Sequence, residues 1–237
     1  MSSTTLRAPP MNEEKRFEIR KLRPADRARV RELCCETGFL GNPIDPVFED
    51  RELFADYLTA YYTDWEPESS FVLLVNGGIR GYLLGSRFPW RQQLYNLYNN
   101  VALGLRGALR YAGYNAASKK FVQWILTQAW REVPQAPRGT AHFHINLLAD
   151  ARGLAFSRGI TDAYLKYLHD HGEKRVFGQM VVFEDRRGTK IFERYGFKVL
   201  NRTEITKYRG LYPEPVYLCT VIKDLDENAQ LYAAKVS

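Results

Sequence analysis

The segment Leu147–Leu168 constrains the fold more than any other part of this sequence. The segment begins at the end of TAHFHINLL, a run from Thr140 in which apolar and polar residues alternate as they do in a strand. The small-residue turn ADARG follows, and then a helical pattern that places Ile160, Tyr164 and Leu168 on one face. A strand that passes through a short turn into an amphipathic helix predicts a crossover unit of an α/β protein.

The rest of the chain supplies the other elements of a mixed sheet. Further strands are predicted in the runs RFEIRKL, SFVLLV, IRGYLLGSR, RVFGQMVVF, FKVLNRTEITKY and VYLCTVIKDL. Helices are predicted after Pro24 and over Val47–Trp65, and Asn76-Gly77 predicts a tight hairpin turn between the second and third strands. The predicted order is β-α-α-β-β, a helical insertion, and then β-α-β-α-β-β.

The formal net charge of +7 is concentrated in one segment of the chain. Between Phe88 and Arg138 the only acid is Glu132, so this segment carries +6 and leaves +1 for the rest. Its seven basic residues are Arg91, Arg106, Arg110, Lys119, Lys120, Arg131 and Arg138. The excess charge therefore belongs to an insertion and not to the whole fold.

The insertion 88–138 also contains nine aromatic residues and predicts two helices, about Gln92–Tyr111 and Ala116–Arg131. An apolar stripe runs along the first of them: Leu94, Leu97, Val101, Leu105 and Leu109. Because such stripes favour packing, we expect the insertion to form a lid over the acceptor site or a homodimer contact. Peripheral contact with an anionic membrane is the second interpretation, and binding of nucleic acid is the least favoured.

Composition limits the domain organisation and the compartment. We expect one domain over 16–225, interrupted by 88–138, with a polar lead at 1–15 and a tail at 226–237. The three cysteines are too few for a disulfide framework, no apolar run reaches the roughly 18 residues of a membrane span, and MSSTTLRAPP does not resemble a signal peptide. These features favour a cytoplasmic protein, and no Cys/His spacing suggests a metal site.

Two further segments join Leu147–Leu168 in a recognisable pattern. IRKLRPADRARVREL is a strand followed by Arg-Pro-x-Asp and a helix, and DRRGTKIFERYGF (Asp185–Phe197) is a short helix that enters a strand through Gly-Phe. In this order and spacing they resemble the GCN5-related N-acetyltransferase (GNAT) superfamily, over about 17–87 and 141–225. The resemblance implies an α/β (α+β) fold with a mixed, mostly antiparallel central sheet flanked by helices, and places the helical insertion between the third and fourth strands.

The resemblance also implies a site for acetyl-CoA (coenzyme A). Members of the superfamily bind its pyrophosphate at an Arg/Gln-x-x-Gly-x-Gly/Ala loop after the fourth strand. The positions that would contact it here are Leu147, Leu148, Arg152, Gly153, Leu154, Ala155, Phe156, Ser157, Arg158, Gly159, Asp185 and Phe192.

Three of these positions depart from the family pattern. Ala155 and Ser157 stand where the loop has glycines, and a positive φ at Ala155 would cost about 1 kcal/mol. The hydroxyl of Ser157 could compensate by donating a hydrogen bond to a phosphate oxygen. Phe192 stands where the family has a tyrosine that often protonates the departing thiolate. A thiol has a free pKa of about 8.5, so it can leave without that donor.

The implied reaction is direct attack of a primary amine, on a small molecule or a peptide, on the acetyl thioester. Period-two alternation places His142, His144 and Asn146 on one face of the fourth strand, and histidine titrates near neutrality. We therefore expect His144 or His142 to be the base, with Glu184 in reserve. Two histidines hydrogen-bonded across the sheet are the structural alternative.

The reaction also needs an oxyanion donor, for which we expect a backbone N–H at a strand bulge near Leu147 or Leu148. Two other functions remain open. The substitutions at Ala155, Ser157 and Phe192 are compatible with a catalytically degenerate GNAT-fold binding or interaction module. The insertion is compatible with an N-acyltransferase that uses a longer acyl-CoA, with the insertion forming an acyl tunnel.

Overall fold

The computed structural model describes residues 16–183 and 190–226. Within these ranges, seven strands form one sheet in the order β1-β2-β3-β4-β5-β7-β6. The strands are β1 Phe17–Lys21, β2 Phe71–Val75, β3 Gly78–Ser86, β4 Ala141–Leu147, β5 Arg175–Phe183, β6 Lys198–Glu204 and β7 Val216–Asp224. Neighbouring strands are antiparallel except for β4 and β5, which run parallel. The mixed, mostly antiparallel sheet expected from the sequence is confirmed.

Helices cover both faces of this sheet. They are α1 Arg27–Thr37, α2 Arg51–Ala60, α3 Pro89–Arg110, α4 Ala116–Thr127, α5 Ala129–Glu132, α6 Leu154–Asp170 and α7 Lys190–Arg194. The helices α3, α4 and α5 form the insertion, and they lie between the third and fourth strands as the sequence predicts. None of the helices in the described ranges is long and apolar enough to cross a membrane.

The turn between β2 and β3 follows the predicted chemistry. Asn76 has φ 51° and Gly77 has φ 81°, both in the left-handed region. Successive residues with positive φ produce the tight turn whose twist matches that of a β-hairpin. The hairpin predicted from Asn76-Gly77 is confirmed.

The helix predicted over Val47–Trp65 is shorter than expected. Regular α2 begins only at Arg51, because the Asp50 side chain accepts the Leu53 N–H at 3.0 Å and caps the helix there. After Ala60 the chain continues as one π-helical turn over Tyr61–Trp65.

Two apolar layers lie on opposite faces of the sheet. On one face, α1, α2 and the insertion pack against residues such as Tyr82 and Leu84 of β3. On the other face, α6 packs against Phe143 of β4, with Ile160 and Tyr164 among its fully buried side chains. The buried face predicted for α6 is therefore confirmed, and alternate residues of β4 face different layers.

Acidic residues of α2 and of the turn before it hold the insertion against the core. In α3, Arg106 pairs with Asp56 at 2.5 Å and Arg110 pairs with Asp50 at 2.8 Å. In α4, the hydroxyl oxygen of Ser118 accepts a hydrogen bond from the backbone N–H of Glu49, the residue before Asp50. Part of the positive charge found in the sequence is thus neutralised by α2 and its N-terminal turn.

Glu132, the single acid of the insertion, fixes its far end. Its carboxylate accepts the indole N–H of Trp124 at 2.6 Å and the backbone N–H and hydroxyl of Thr206 at 2.6 and 2.7 Å. Thr206 begins the short turn between β6 and β7. The insertion is therefore clamped between α2 and the β6–β7 connection.

The apolar stripe of α3 does not pack against the rest of the chain. A lid that covers the acceptor site with this stripe facing inward, as expected from the sequence, is therefore not what the structure shows. Its five members, Leu94, Leu97, Val101, Leu105 and Leu109, are all exposed. The opposite face of α3 packs inward instead, where Leu103 is buried and Arg106 meets Asp56.

Candidate functional site

The sheet opens between its two parallel strands. β4 and β5 are in register over three residue pairs and part after Phe143 and Gly178. β4 continues to Leu147 and β5 to Phe183, with β5 now paired to β7 alone along this stretch. The second half of β4 therefore borders a wedge-shaped opening in the sheet.

Backbone groups of β4 point into this opening. The N–H of Leu148 donates to Arg80 O of β3 at 2.9 Å. Because successive residues of a strand direct their N–H groups to opposite edges, the N–H groups of Leu147 and Ile145 point toward β5. Of the two expected oxyanion donors, only Leu147 directs its N–H to the opening.

The bulge expected near Leu147 or Leu148 is not present in β4. Over Ala141–Leu147 the pairing with β3 keeps one register, from Gly81 opposite Leu147 to Ser86 opposite His142. Instead, the separation of β4 from β5 leaves backbone groups of β4 without a partner on β5, at the place where we expected a bulge to do so.

The N-terminus of α6 lies at the end of this opening. β4 passes through the turn Ala149–Ala151 into Gly153, the N-cap residue, which has no side chain to satisfy the first turn. Ser157 N–H makes the first helical hydrogen bond, to Gly153 O at 3.1 Å. The N–H groups of the residues between them, 154–156, point out of the helix end, where the dipole favours an anion.

The two replaced loop glycines do not strain the turn. Ala155 lies inside α6 in helical conformation, so the expected cost of a positive φ does not arise. The Ser157 hydroxyl lies 3.1 Å from Gly153 O and 3.3 Å from Leu154 O, and 2.8 Å from the hydroxyl of Tyr195. Ser157 thus closes the first helical turn rather than extending toward solvent.

The arginines of the loop contact protein groups. Arg152 donates from Nε to Leu147 O at 3.0 Å and from Nη2 to Gly41 O, which ties the α1–α2 loop to the end of β4. Arg158 lies 3.9 Å from Asp162, one turn further along α6. The positive charge of Arg152 therefore stays beside the α6 N-terminus, at the junction of the two segments.

Gly159 and Phe192 serve packing. A Cβ at Gly159 would meet the Ile19 side chain at 2.8 Å, so glycine allows α6 to approach β1 closely. Phe192 is half-buried against the α6 layer, and its carbonyl accepts Phe197 N–H at 2.9 Å. Glu184 and Asp185, expected as reserve base and cofactor contact, lie outside the described residues.

Tyr195 is a residue that the sequence analysis did not select. Its hydroxyl reaches Ser157 in the first turn of α6, although Phe192 occupies the position where the family has its tyrosine. The signal was present in the segment DRRGTKIFERYGF, whose helix ends in this aromatic residue directly before Gly196. Tyr195 brings a hydroxyl to the helix terminus.

His142 is held neutral beneath the insertion. Its Nε2 lies 3.0 Å from the hydroxyl of Tyr62, and that hydroxyl accepts a hydrogen bond from Gln92 Nε2 of α3 at 2.8 Å. Burial lowers the pKa of His142 to about 4, with a smaller opposing effect from Glu66.

His144 lies on the same face of β4, one position beyond the last residue paired with β5. Its ring makes an edge contact with Tyr82 at 5.6 Å between centroids, and burial lowers its pKa to about 4. Asn146 donates from Nδ2 to the Tyr82 hydroxyl at 2.8 Å. The alternation predicted for β4 is confirmed, and of the two histidines only His144 lies beside the opening.

The architecture is thus an α/β fold whose sheet separates at its parallel pair of strands, with a helix N-terminus at the gap. Solved structures share this architecture. SsHAT matches with a TM-score of 0.56 and 23% identity, over 88% of this chain and 98% of that chain. The protein yncA of Salmonella typhimurium, solved with its cofactor acetyl-CoA, matches with a TM-score of 0.53 and 14% identity, over 90% and 96%.

The Drosophila melanogaster polyamine N-acetyltransferase, which forms N-acetylagmatine, matches with a TM-score of 0.54 and 12% identity, over 88% of this chain and 100% of that chain. The chain has the GNAT fold. At the level of sequence, no protein-family model matches the chain and no curated protein is similar to it.

Proposed function

We propose that this protein is an N-acetyltransferase that moves the acetyl group of acetyl-CoA to a primary amine by direct attack. The observation that carries the proposal is the placement of the α6 N-terminus at the opening between β4 and β5. The structural neighbour yncA holds acetyl-CoA as its cofactor, which supports the same ligand for this fold.

The residues at the opening fit such a ligand. The outward N–H groups of Leu154, Ala155 and Phe156 suit the pyrophosphate, and Leu154 and Ala155 are exposed. Arg152 adds positive charge beside them without occupying the helix end. When bound, acetyl-CoA supplies a thioester carbonyl that an amine can attack.

In this proposal Leu147 stabilises negative charge on the carbonyl oxygen through its backbone N–H, which points to the opening. Leu148 is excluded from that role because its N–H already donates to Arg80 O. A fixed backbone donor needs no reorganisation during the reaction, and Arg152 binds the carbonyl of the same residue.

His144 is the proposed base. Burial lowers its pKa to about 4, so its imidazole is unprotonated at pH 7 and can accept a proton as positive charge develops on the attacking nitrogen. His142 is proposed only to position the strand, because its Nε2 is engaged by Tyr62. Asn146 shares the face of His144 and positions Tyr82. Glu184 remains the reserve base of the proposal.

The departing thiolate needs no hydroxyl at position 192, since a free thiol has a pKa of about 8.5. The acceptor is proposed to be a small amine or a peptide amine, in line with the N-acetylagmatine that the Drosophila neighbour forms. We place the acceptor on the face of β4 that carries His144, bounded by the loop that Gly41 and Arg152 hold together. The proposed domain spans 16–225, with the insertion 88–138 bordering this face.

Release of free CoA thiol from acetyl-CoA, measured with a panel of primary amines that includes agmatine, tests the proposal. Transfer should be detectable, and His144→Gln should lower kcat/KM for the amine by about 10²–10⁴-fold while acetyl-CoA still binds. His142→Gln should have a much smaller effect.

The same assay separates the alternatives. Binding of acetyl-CoA without transfer to any amine would favour the degenerate binding module that Phe192 suggests. A clear preference for butyryl- or palmitoyl-CoA would favour the longer acyl donor. Transfer unaffected by His144→Gln would overturn the assignment of the base.

A further inference from the structure

The exposed face of α3 carries a continuous apolar seam. Its positions follow one another at intervals of four, three, four, three and four residues: Trp90, Leu94, Leu97, Val101, Gly104 and Ala108. All six are exposed, and Leu97 keeps 70% of its surface accessible. Alternating intervals of three and four place residues along one line of a helix and are typical of a helix-packing seam.

The seam is flanked by more exposed apolar side chains, which widen it into a patch. These are Tyr98, Leu105 and Leu109. A helix of 22 residues is about 33 Å long, and apolar patches above a few hundred Å² mark interaction sites on soluble proteins.

The charges of α3 exclude an anionic surface as the preferred partner. All three charged residues of the helix bond to their own chain: Arg106 to Asp56, Arg110 to Asp50, and Arg91 to the carbonyl of Trp65. The exposed polar neighbours of the seam, such as Gln93 and Asn100, are neutral. A membrane surface or nucleic acid would require cations beside the apolar residues, so the face fits a neutral apolar partner.

The order of residue sizes along the seam identifies that partner. The intervals read the same in both directions, so an antiparallel copy aligns every position with another. Setting Leu97 opposite Val101 of a second copy also sets Leu94 opposite Gly104 and Trp90 opposite Ala108. Trp90 and Leu94 then meet the small residues Ala108 and Gly104, with Leu97 and Val101 together at the centre, and a Cβ added to Gly104 would find open space within this chain.

We propose that α3 forms the homodimer interface of this protein, in which two copies pack their α3 helices antiparallel about a two-fold axis near residue 99. The contact is self-complementary, as a two-fold interface requires. The contact buries the apolar stripe of α3, which is exposed to solvent in a single chain. The opposite face of α3 remains packed against α2.

Sedimentation equilibrium of the full chain tests the interface directly. The wild type should have twice the chain mass of 27.5 kDa, and Leu97→Glu should give the monomer with an unchanged far-UV spectrum, because the side chain is exposed within one chain. Leu126→Glu in α4, an equally exposed leucine outside the seam, should remain dimeric. A monomeric wild type at about 100 µM, or a Leu97→Glu dimer, overturns the proposal.

Disulfide trapping tests the antiparallel alignment. Leu94→Cys and Gly104→Cys proteins should cross-link efficiently when mixed and poorly when each is oxidised alone. The natural cysteines Cys34, Cys35 and Cys219 are buried and free, so they give little background. Efficient cross-linking of each variant with itself would indicate a different packing and contradict the alignment. If the wild type is instead monomeric and sediments with phosphatidylserine vesicles, and Leu97→Glu abolishes this sedimentation, the exposed face of α3 binds a lipid surface.

Discussion

The hydroxyl of Tyr62 lies 3.0 Å from Nε2 of His142, although the two residues are 80 positions apart in the chain. Tyr62 follows α2, and its oxygen is also bound by Gln92 of α3, so three segments meet at one imidazole. The contact engages Nε2 of His142, while His144 is the histidine beside the opening of the sheet.

The burial of His142 makes stability depend on pH in a defined window. An unfolded histidine has a pKa of about 6.5, whereas burial lowers that of folded His142 to about 4, so the unfolded state binds more protons between these values. Acidification from pH 6.5 to pH 4 should therefore cost up to about 3 kcal/mol at this residue. Urea unfolding at pH 7 and pH 4.5 should show a smaller acid loss for His142→Gln than for the wild type. Identical losses would mean that His142 is not buried in its neutral form.

Glu66 should be the most costly polar residue to remove. It is fully buried, and its carboxylate accepts four hydrogen bonds, from the hydroxyls of Tyr61, Ser69 and Ser86 and from Arg87 N–H, at 2.6 to 2.7 Å. Glu66→Ala leaves these donors without an acceptor, and we expect a loss of about 3–5 kcal/mol in urea unfolding.

Glu66→Gln is the matched control for this measurement. It keeps one carbonyl oxygen, and the hydroxyl groups can rotate to accept from its amide, so the loss should be clearly smaller. Equal losses for the two variants would contradict a role based on hydrogen bonding.

Tyr195 and Ser157 should act as one unit on ligand binding. Their hydroxyls are 2.8 Å apart at the first turn of α6, so loss of either should loosen the helix end that we propose to bind the pyrophosphate. Tyr195→Phe and Ser157→Ala should each weaken CoA binding up to about tenfold, or 1.4 kcal/mol, in calorimetric titration. The double variant should lose little more than either single one, whereas additive losses would show that the two residues act independently.

Local chemistry explains the parts of the fold that the sequence predicts well. The Asn76-Gly77 turn, the buried face of α6 and the alternation of β4 each follow from neighbouring residues, through backbone conformation or periodicity. The end of α2 is different, because a π-helical turn over Tyr61–Trp65 has no comparable local signal.

The geometry of the site depends on contacts between distant residues. Arg152 binds Gly41 across 111 positions, and no local pattern indicates that its charge is directed to a carbonyl. The separation of β4 from β5 after Phe143 is likewise a property of strand pairing between distant segments, and no local pattern in either strand indicates it. Periodicity alone therefore places His142 and His144 on one face of β4, whereas only the strand pairing shows that His144 lies beside the opening.

The central claim is that the α6 N-terminus binds the pyrophosphate of CoA, and a charge placed there tests it most directly. Ala155→Glu puts a carboxylate in the exposed first turn of α6. The helix dipole stabilises a negative charge there, so folding should be intact, but the carboxylate should repel a phosphate. Ala116→Glu makes the same change in the exposed first turn of α4 and is the matched control.

Calorimetric titration with CoA should show binding to the wild type and to Ala116→Glu, and a loss of at least about tenfold in affinity for Ala155→Glu, equivalent to 1.4 kcal/mol. Absence of CoA binding to the wild type, or equal affinity of all three proteins, would contradict the account.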